Sequence, residues 1–291
     1  MSARQYSDTF LSTNNSCDTH TYKHTHTPTM APRTAVLSRN TNETKIQVSL
    51  SLDGGPLPPY EPSPHFPHDS DTGIVPAKDA SHATQFTATQ QITISTGIGF
   101  LDHMLHALAK HAGWSLAVRA KGDLYSAYFP SSLLPRVFRA SVQYSNSDWL
   151  LLLVDDHHTT EDTFLAIGSA FSSALGARQS IVRFGRGDAP LDEALSWAVI
   201  DISSRPWAVI NLGFRREKIG DLSTEMIPHG LQSFAQAAGV TLHVTCVYGD
   251  NDHHRAESAF KALAVAIRTA CTIRAVGEAG AGDVVSTKGV L

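Results

Sequence analysis

Cysteine is scarce in this chain. Three residues in 291, Cys17, Cys246 and Cys271, show no ligand spacing and cannot all pair, which excludes a disulfide scaffold and points to a reducing, cytoplasmic setting. Long apolar runs are missing too. The most tempting stretch, 149–154, falls far below a bilayer span, and the first residues carry no signal-peptide pattern. Neither sign of charge dominates: a net charge of −4 gives no general surface for polyanions, so neither nucleic acid nor membrane is an expected partner. With 42% hydrophobic residues the chain can bury one or two substantial cores.

What it has in excess is histidine, 15 residues, and one short pattern occurs twice: Asp-His-His-Thr-Thr-Glu at 156–161 and Asp-His-His-Arg-Ala-Glu at 252–257. Imidazole and carboxylate suit divalent transition metals. On a helix, His157 and Glu161 share a face, as do His253 and Glu257, while His158 and His254 point well aside. The simplest two-metal arrangement is crossed, each ion taking a His/Glu pair from one helix and the odd histidine from the other. The plain alternative is a solvated helix start in which the aspartate is an ordinary N-cap.

The repeat extends upstream. His103-Met-Leu-His-Ala-Leu-Ala-Lys-His-Ala-Gly113 and His229-Gly-Leu-Gln-Ser-Phe-Ala-Gln-Ala-Ala-Gly239 both read as a helix closed by a glycine cap, followed by a strand alternating Leu and Val. Duplicated halves predict a third imidazole for each ion, His103 and His229. His106 and His111 have no histidine counterparts, facing Gln232 and Ala237 in the other copy; neither is expected to be a ligand, and His111 is placed among the substrate contacts.

The halves differ in length. His103 and His157 are 54 residues apart, His229 and His253 only 24. The surplus falls at 125–153, apolar, aromatic and almost free of acid, unlike a solvated loop. It is either a strand-bearing insertion or, the reading preferred here, translated intron sequence or a gene-model error. A Pro-rich loop at 54–88 is expected to be a surface excursion between two alternating strands, Lys45–Leu52 and Gln91–Ser95, read as a half-buried antiparallel pair. The Thr/Ser/His-rich start, with His20, His24 and His26, has no periodicity and is expected to be disordered, and Met30 is a candidate initiator.

Eight separated motifs then agree, in order, with one family. Ser38-Arg-Asn-Thr-Asn-Glu43, Gly97-Ile-Gly-Phe-Leu-Asp-His103, the two His-His motifs, Arg183-Phe-Gly, Ser204-Arg205-Pro, Glu225-Met-Ile-Pro-His229 and Ser286-Thr-Lys288-Gly closely resemble imidazoleglycerol-phosphate dehydratase, over 33–291 apart from the two loops. The resemblance implies dehydration of imidazole glycerol phosphate to imidazole acetol phosphate in histidine biosynthesis. It implies two Mn2+ per active site, one held by His103, His158, His253 and Glu257, the other by His157, Glu161, His229 and His254. Ligands would come from neighbouring subunits, in trimers assembling to a 24-mer.

The implied fold is α+β, an internally duplicated sandwich of the ribosomal protein S5 domain 2-like kind, each half a four-stranded mostly antiparallel sheet with two helices on one face. The expected divisions are 1–32 (extension), 33–185 and 186–275 (halves), and 276–291 (substrate-binding tail). Glu43 is the implied proton shuttle beside the catalytic His157, His158, His253 and His254. Arg183, Arg205, Lys261, Ser286 and Lys288 match the family's phosphate-binding set, with Glu43, His103, His111 and Thr287 also expected to face substrate. Val285, where the family often has proline, and the Gly277–Gly282 stretch should loosen the tail. A two-metal phosphate-ester hydrolase and a non-catalytic metal-binding shell protein are the competing readings. The phosphate-binding set argues against the shell, and symmetric sites spaced to clasp a ring argue against the hydrolase.

Overall fold

β1 (Thr34–Asn40) and β2 (Lys45–Ser51) form an antiparallel hairpin whose turn carries Glu43. The computed structural model describes residues 32–66, 83–122, 128–130, 149–151 and 155–290. After β3 (Thr84–Phe86) and β4 (Gln91–Ser95), α1 (Gly99–Ala112) leads into β5 (Ser115–Lys121), giving a sheet of order β1-β2-β5-β4-β3. The short β6 (Tyr128–Pro130) and β7 (Trp149–Leu151) pair with each other, and α2 (His157–Leu175) completes this part. β8 (Phe184–Leu191), β9 (Ala194–Asp201) and β10 (Trp207–Asn211) follow, then the small β11 (Lys218–Ile219) and β12 (Leu222–Ser223). α3 (Met226–Ala238), β13 (Thr241–Tyr248) and α4 (Asp252–Cys271) close a second sheet of order β10-β13-β9-β8.

The two sheets share one connectivity. In each, a hairpin is joined antiparallel to the strand that follows the first helix, and that strand runs parallel to the one preceding the helix. α1 and α3 end on Gly113 (φ 79°) and Gly239 (φ 65°), in the left-handed region where glycine costs least.

Three expectations about the first sheet change. Lys45–Leu52 and Gln91–Ser95 are not partners: β5 lies between them, antiparallel to β2 and parallel to β4. Thr84–Phe86, inside the expected loop, adds a fifth strand at the edge beyond β4, past the last proline of that segment. Residues 54–66 do not stand away from the surface either. They lie across the outer side of β2, where Gln47 Nε2 donates to the Glu61 carbonyl, Ser49 Oγ donates to that of Pro58, and Tyr60 is buried. This is why β2 is buried along nearly its whole length rather than alternately. Residues 67–82, and most of 125–153 beyond β6 and β7, lie outside the described residues, as does the whole of 1–31.

α1 packs on β4 and α2 on β1 and β2; α3 packs on β10 and α4 on β8 and β9. The helices packed on one sheet also meet those packed on the other, α2 against α3 and α1 against α4, so a double layer of helices sits between two sheets around one continuous core. Phe164, Phe171, Phe234 and Phe260 fill it, each side chain contributing about 1.5–3 kcal/mol by leaving water. Glycine permits the α2–α3 crossing. A Cβ at Gly168 would press on the backbone of Phe234 and Ala238, and one at Gly230 would enter the Phe164 ring. That close approach carries His229 to the first turn of α2. Among the described residues no helix is long and apolar enough to cross a membrane.

Candidate metal centres

Each His-His motif opens a helix whose first turn is pinned. Asp155 Oδ1 accepts the His157 backbone N–H at 3.0 Å, and Asn251 Oδ1 accepts that of His253 at 2.9 Å. Asp156, the next residue, accepts the backbone N–H and hydroxyl of Ser223 just before α3, tying the start of α2 to the helix that bears His229. At the start of α1, Asp102 Oδ1 accepts the N–H (2.8 Å) and hydroxyl (2.6 Å) of Thr96, which fixes the turn that presents His103.

Two groups of possible ligands result: His103, His253 and Glu257, and His157, Glu161 and His229, the ligand atoms of each lying within 4.8 Å of one another. In the first, the Nε2 atoms of His103 and His253 both stand 3.1 Å from Glu257 Oε2. Phe100, one turn before His103, sets its ring edge-on to His253 with centroids 5.1 Å apart and walls this group. Burial alone would raise the Glu257 carboxyl. The Lys261 ammonium, 2.7 Å away, together with His103 and His253, overrides it and holds the group down at about 2. In the second, Glu161 Oε1 lies 3.1 Å from His229 Nε2 and Oε2 lies 4.0 Å from His157 Nε2. Two imidazoles and a carboxylate whose ligand atoms lie within 4.8 Å of one another suit a borderline divalent ion.

The odd histidines go elsewhere. Within one chain His158 and His254 join neither group, so the crossed set of four is not assembled by a single subunit. The helical twist that pairs the first histidine with glutamate sends the second histidine toward the hairpin turn of the sheet on which its helix packs. There His158 Nδ1 lies 3.5 Å from Glu43, and His254 Nδ1 lies 2.6 Å from Glu193. Glu43 is exposed, on a turn held by the buried Asp162, which accepts from Thr44 Oγ1 (2.5 Å) and Arg39 Nε (2.8 Å). Glu193 accepts the backbone N–H of Asn251 first of all, then bonds from His254 and from the Asp250 N–H, which hold its carboxyl down at about 2.

The expected phosphate-binding residues divide in two. Arg183, Arg205, Ser286, Thr287 and Lys288 line a cavity of about 680 Å³ with Phe184 and Val285. Arg183 is largely buried and committed: it donates to Asp201 (2.7 Å) and to the Val285 carbonyl, so it anchors the tail, while the more exposed Arg205 sits 3.8 Å from the same aspartate. Lys261 is at the first ligand group instead, beside His111, whose pKa burial and the Lys261 charge lower. The tail is more tethered than its glycines suggest. Ser180 N–H donates to the Asp283 carbonyl (3.0 Å), the Gly282 N–H donates to Ser180 Oγ (2.8 Å), and Arg274 grips the Ala279 carbonyl (2.6 Å).

Asp201, Asp162, Phe100 and Glu193 escaped the sequence reading. Asp201 lies one helical turn's spacing before Arg205 but on a strand end, and Glu193 is visible only once the β8–β9 turn is matched with the turn bearing Glu43.

Residues 96–128 and 138–267 match the sequence profile of the family described as imidazoleglycerol-phosphate dehydratase. The imidazoleglycerol-phosphate dehydratase of Maudiozyma humilis is 56% identical over 262 residues, covering 90% of this chain and all of that protein (100%). The Neurospora crassa protein of the same name is 53% identical over 261 residues, 90% of this chain and 96% of its own length. Among solved structures, that of the Staphylococcus aureus dehydratase superposes with a TM-score of 0.56 at 26% identity, covering 82% of this chain and 99% of the other.

Proposed function

The chain belongs to the imidazoleglycerol-phosphate dehydratase family and is a hydro-lyase of histidine biosynthesis, and from that premise we propose that its two His-His-Glu groups are divalent-ion sites, each completed by a histidine of a neighbouring subunit. One observation carries this reading: each group gathers three donors, while the fourth imidazole demanded by the repeated motif points away on the same chain. One site would comprise His103, His253 and Glu257 with a neighbour's His158. The other would comprise His157, Glu161 and His229 with a neighbour's His254. Homo-oligomerisation, as trimers of a 24-mer, is then part of catalysis.

The substrate loses the hydroxyl from the carbon attached to its imidazole ring and a hydrogen from the adjacent carbon, whose own hydroxyl makes the product an enol that relaxes to the ketone of imidazole acetol phosphate. Two divalent ions, Mn2+ by resemblance, would supply Lewis acidity at the ring nitrogens and stabilise the negative charge of an electron-rich ring as the hydroxyl leaves the carbon it carries. Glu43, exposed and on a fixed turn, would move the proton. Arg205, Ser286, Thr287 and Lys288 face the cavity that takes the phosphate, with Arg183 as its anchored wall and Lys261 adding charge nearer the ring. The two ligand groups share no carboxylate, unlike the bridged pair usual in two-metal hydrolases.

The matched sheet connectivity supports an internal duplication, with 33–185 and 186–275 as its halves and 276–291 as the substrate-binding tail. Cys246 and Cys271, both buried free thiols, fit the cytoplasm. The test is turnover of imidazole glycerol phosphate by protein stripped with chelator. Mn2+ should restore product, and a generic phosphate ester should stay intact; full turnover without any divalent ion would refute the reading.

A further inference from the structure

Glu193 lies in the turn between β8 and β9, and its two carboxylate oxygens hold different partners. Oε1 accepts the backbone N–H groups of Asp250 (3.0 Å) and Asn251 (2.8 Å), the residues that lead into α4. Oε2 lies 2.6 Å from Nδ1 of His254. An ionised carboxylate can only accept, so Nδ1 carries a proton and Nε2 is the nitrogen left to meet a cation. Asp192 Oδ2, 3.9 Å from Nε2, is beyond hydrogen-bond reach.

The corresponding turn of the first half gives the contrast. Glu43 faces Nδ1 of His158 at 3.5 Å with its side chain 54% exposed, whereas Glu193 is 37% exposed and gripped by three donors. One turn position thus holds a carboxylate free for proton transfer in one half and a locked one in the other.

We infer that Glu193 is a positioning residue for the dehydration: it fixes the tautomer and direction of His254 so that Nε2 is presented to a divalent ion, and it ties that imidazole to the loop entering α4. Carboxylates that hold the far nitrogen of a metal-bound histidine raise its basicity and fix its aim. The inference rests on the reading of His254 as an ion ligand.

Glu193→Gln separates this role from simple anchoring. Its amide oxygen keeps the two backbone bonds, since the reversed amide would set NH2 against two N–H groups. The NH2 then faces Nδ1 of His254, which must accept, and the ring proton moves to Nε2 and blocks it. Calorimetric titration of chelator-stripped protein with Mn2+, together with the melting temperature of the ion-free protein, reads this out for the wild type, Glu193→Gln and His254→Ala. The expectation is that Glu193→Gln weakens one class of ion site roughly ten- to a hundred-fold, as His254→Ala also does, with the ion-free melting temperature unchanged. If His254→Ala weakens binding and Glu193→Gln does not, the positioning role is overturned while His254 stays a ligand. A Glu193→Gln protein that melts early without ions shows an anchor only and overturns it too. If His254→Ala binds ions normally, the ligand reading fails and takes the inference with it.

Discussion

His103 and Glu257, 154 residues apart in sequence, meet with Nε2 3.1 Å from Oε2, so the first candidate ligand group exists only when α1 and α4 cross. Glu257→Gln keeps the shape of the side chain but removes its charge. Mn2+ affinity at that group should fall by at least tenfold, with the His157/Glu161/His229 group unaffected in a titration that resolves the two.

Lys261 holds the Glu257 carboxyl low, against its burial. A carboxyl lowered in the folded chain contributes stability above its unfolded value and loses it as pH falls toward the folded one, here about 2. Lys261→Met removes that cation, so the Glu257 pKa rises and protons compete with the ion at higher pH. The acid limb of Mn2+ binding, followed from pH 7 downward, should move up, while KM for the phosphorylated substrate increases and ion content at neutral pH is retained. An unmoved acid limb would contradict the pairing.

Gly168 lets α3 lie on α2. Gly168→Ala puts a methyl against the Phe234 and Ala238 backbone, which cannot yield as a side chain could, and should cost about 1–3 kcal/mol in urea unfolding. It should also loosen the group containing His229 more than the group containing His103, as site-resolved ion titration would show.

Gly122, at the end of β5, lies against Thr159 in the first turn of α2, so the two sides of the 125–153 segment are already adjacent. Deleting 125–153 should therefore close the chain without strain, as the short link from β13 to α4 does. The shortened chain should assemble to the larger mass and turn over faster than the full one. Native mass measurement and an activity assay check this, and a spliced transcript that retains those codons would remove the case for an artefact.

The helices α1 and α3 were legible because a 3.6-residue apolar period and glycine caps mark them; the pairing of His157 with Glu161 follows from the same geometry. Partnering of strands was not. β2 and β4 are separated by a strand that comes later in the chain, and alternation records which face is buried, not which strand lies alongside. The 54–66 segment misled because its prolines forbid ladder bonds, yet its carbonyls still accept from Gln47 and Ser49. At the site, the residue types for ion and phosphate binding stood in the sequence. What did not was the division between a buried, Asp201-bound Arg183 and an exposed Arg205, nor the diversion of His158 and His254 to the hairpin turns. Those depend on contacts between segments far apart in the chain.

The most direct test of the central claim, that each ion site is completed by the neighbour's second histidine, is subunit complementation. His158→Ala and His253→Ala chains are each prepared, dissociated, mixed with Mn2+ and reassembled, with mixing verified by mass tags. Each variant alone should be inactive. At an interface where the His158→Ala chain provides His103, His253 and Glu257 and the His253→Ala chain provides His158, all ligands are present, so the mixture should regain activity and bound ion. Verified mixed oligomers that regain neither, or a His158→Ala protein that works unmixed, would contradict it.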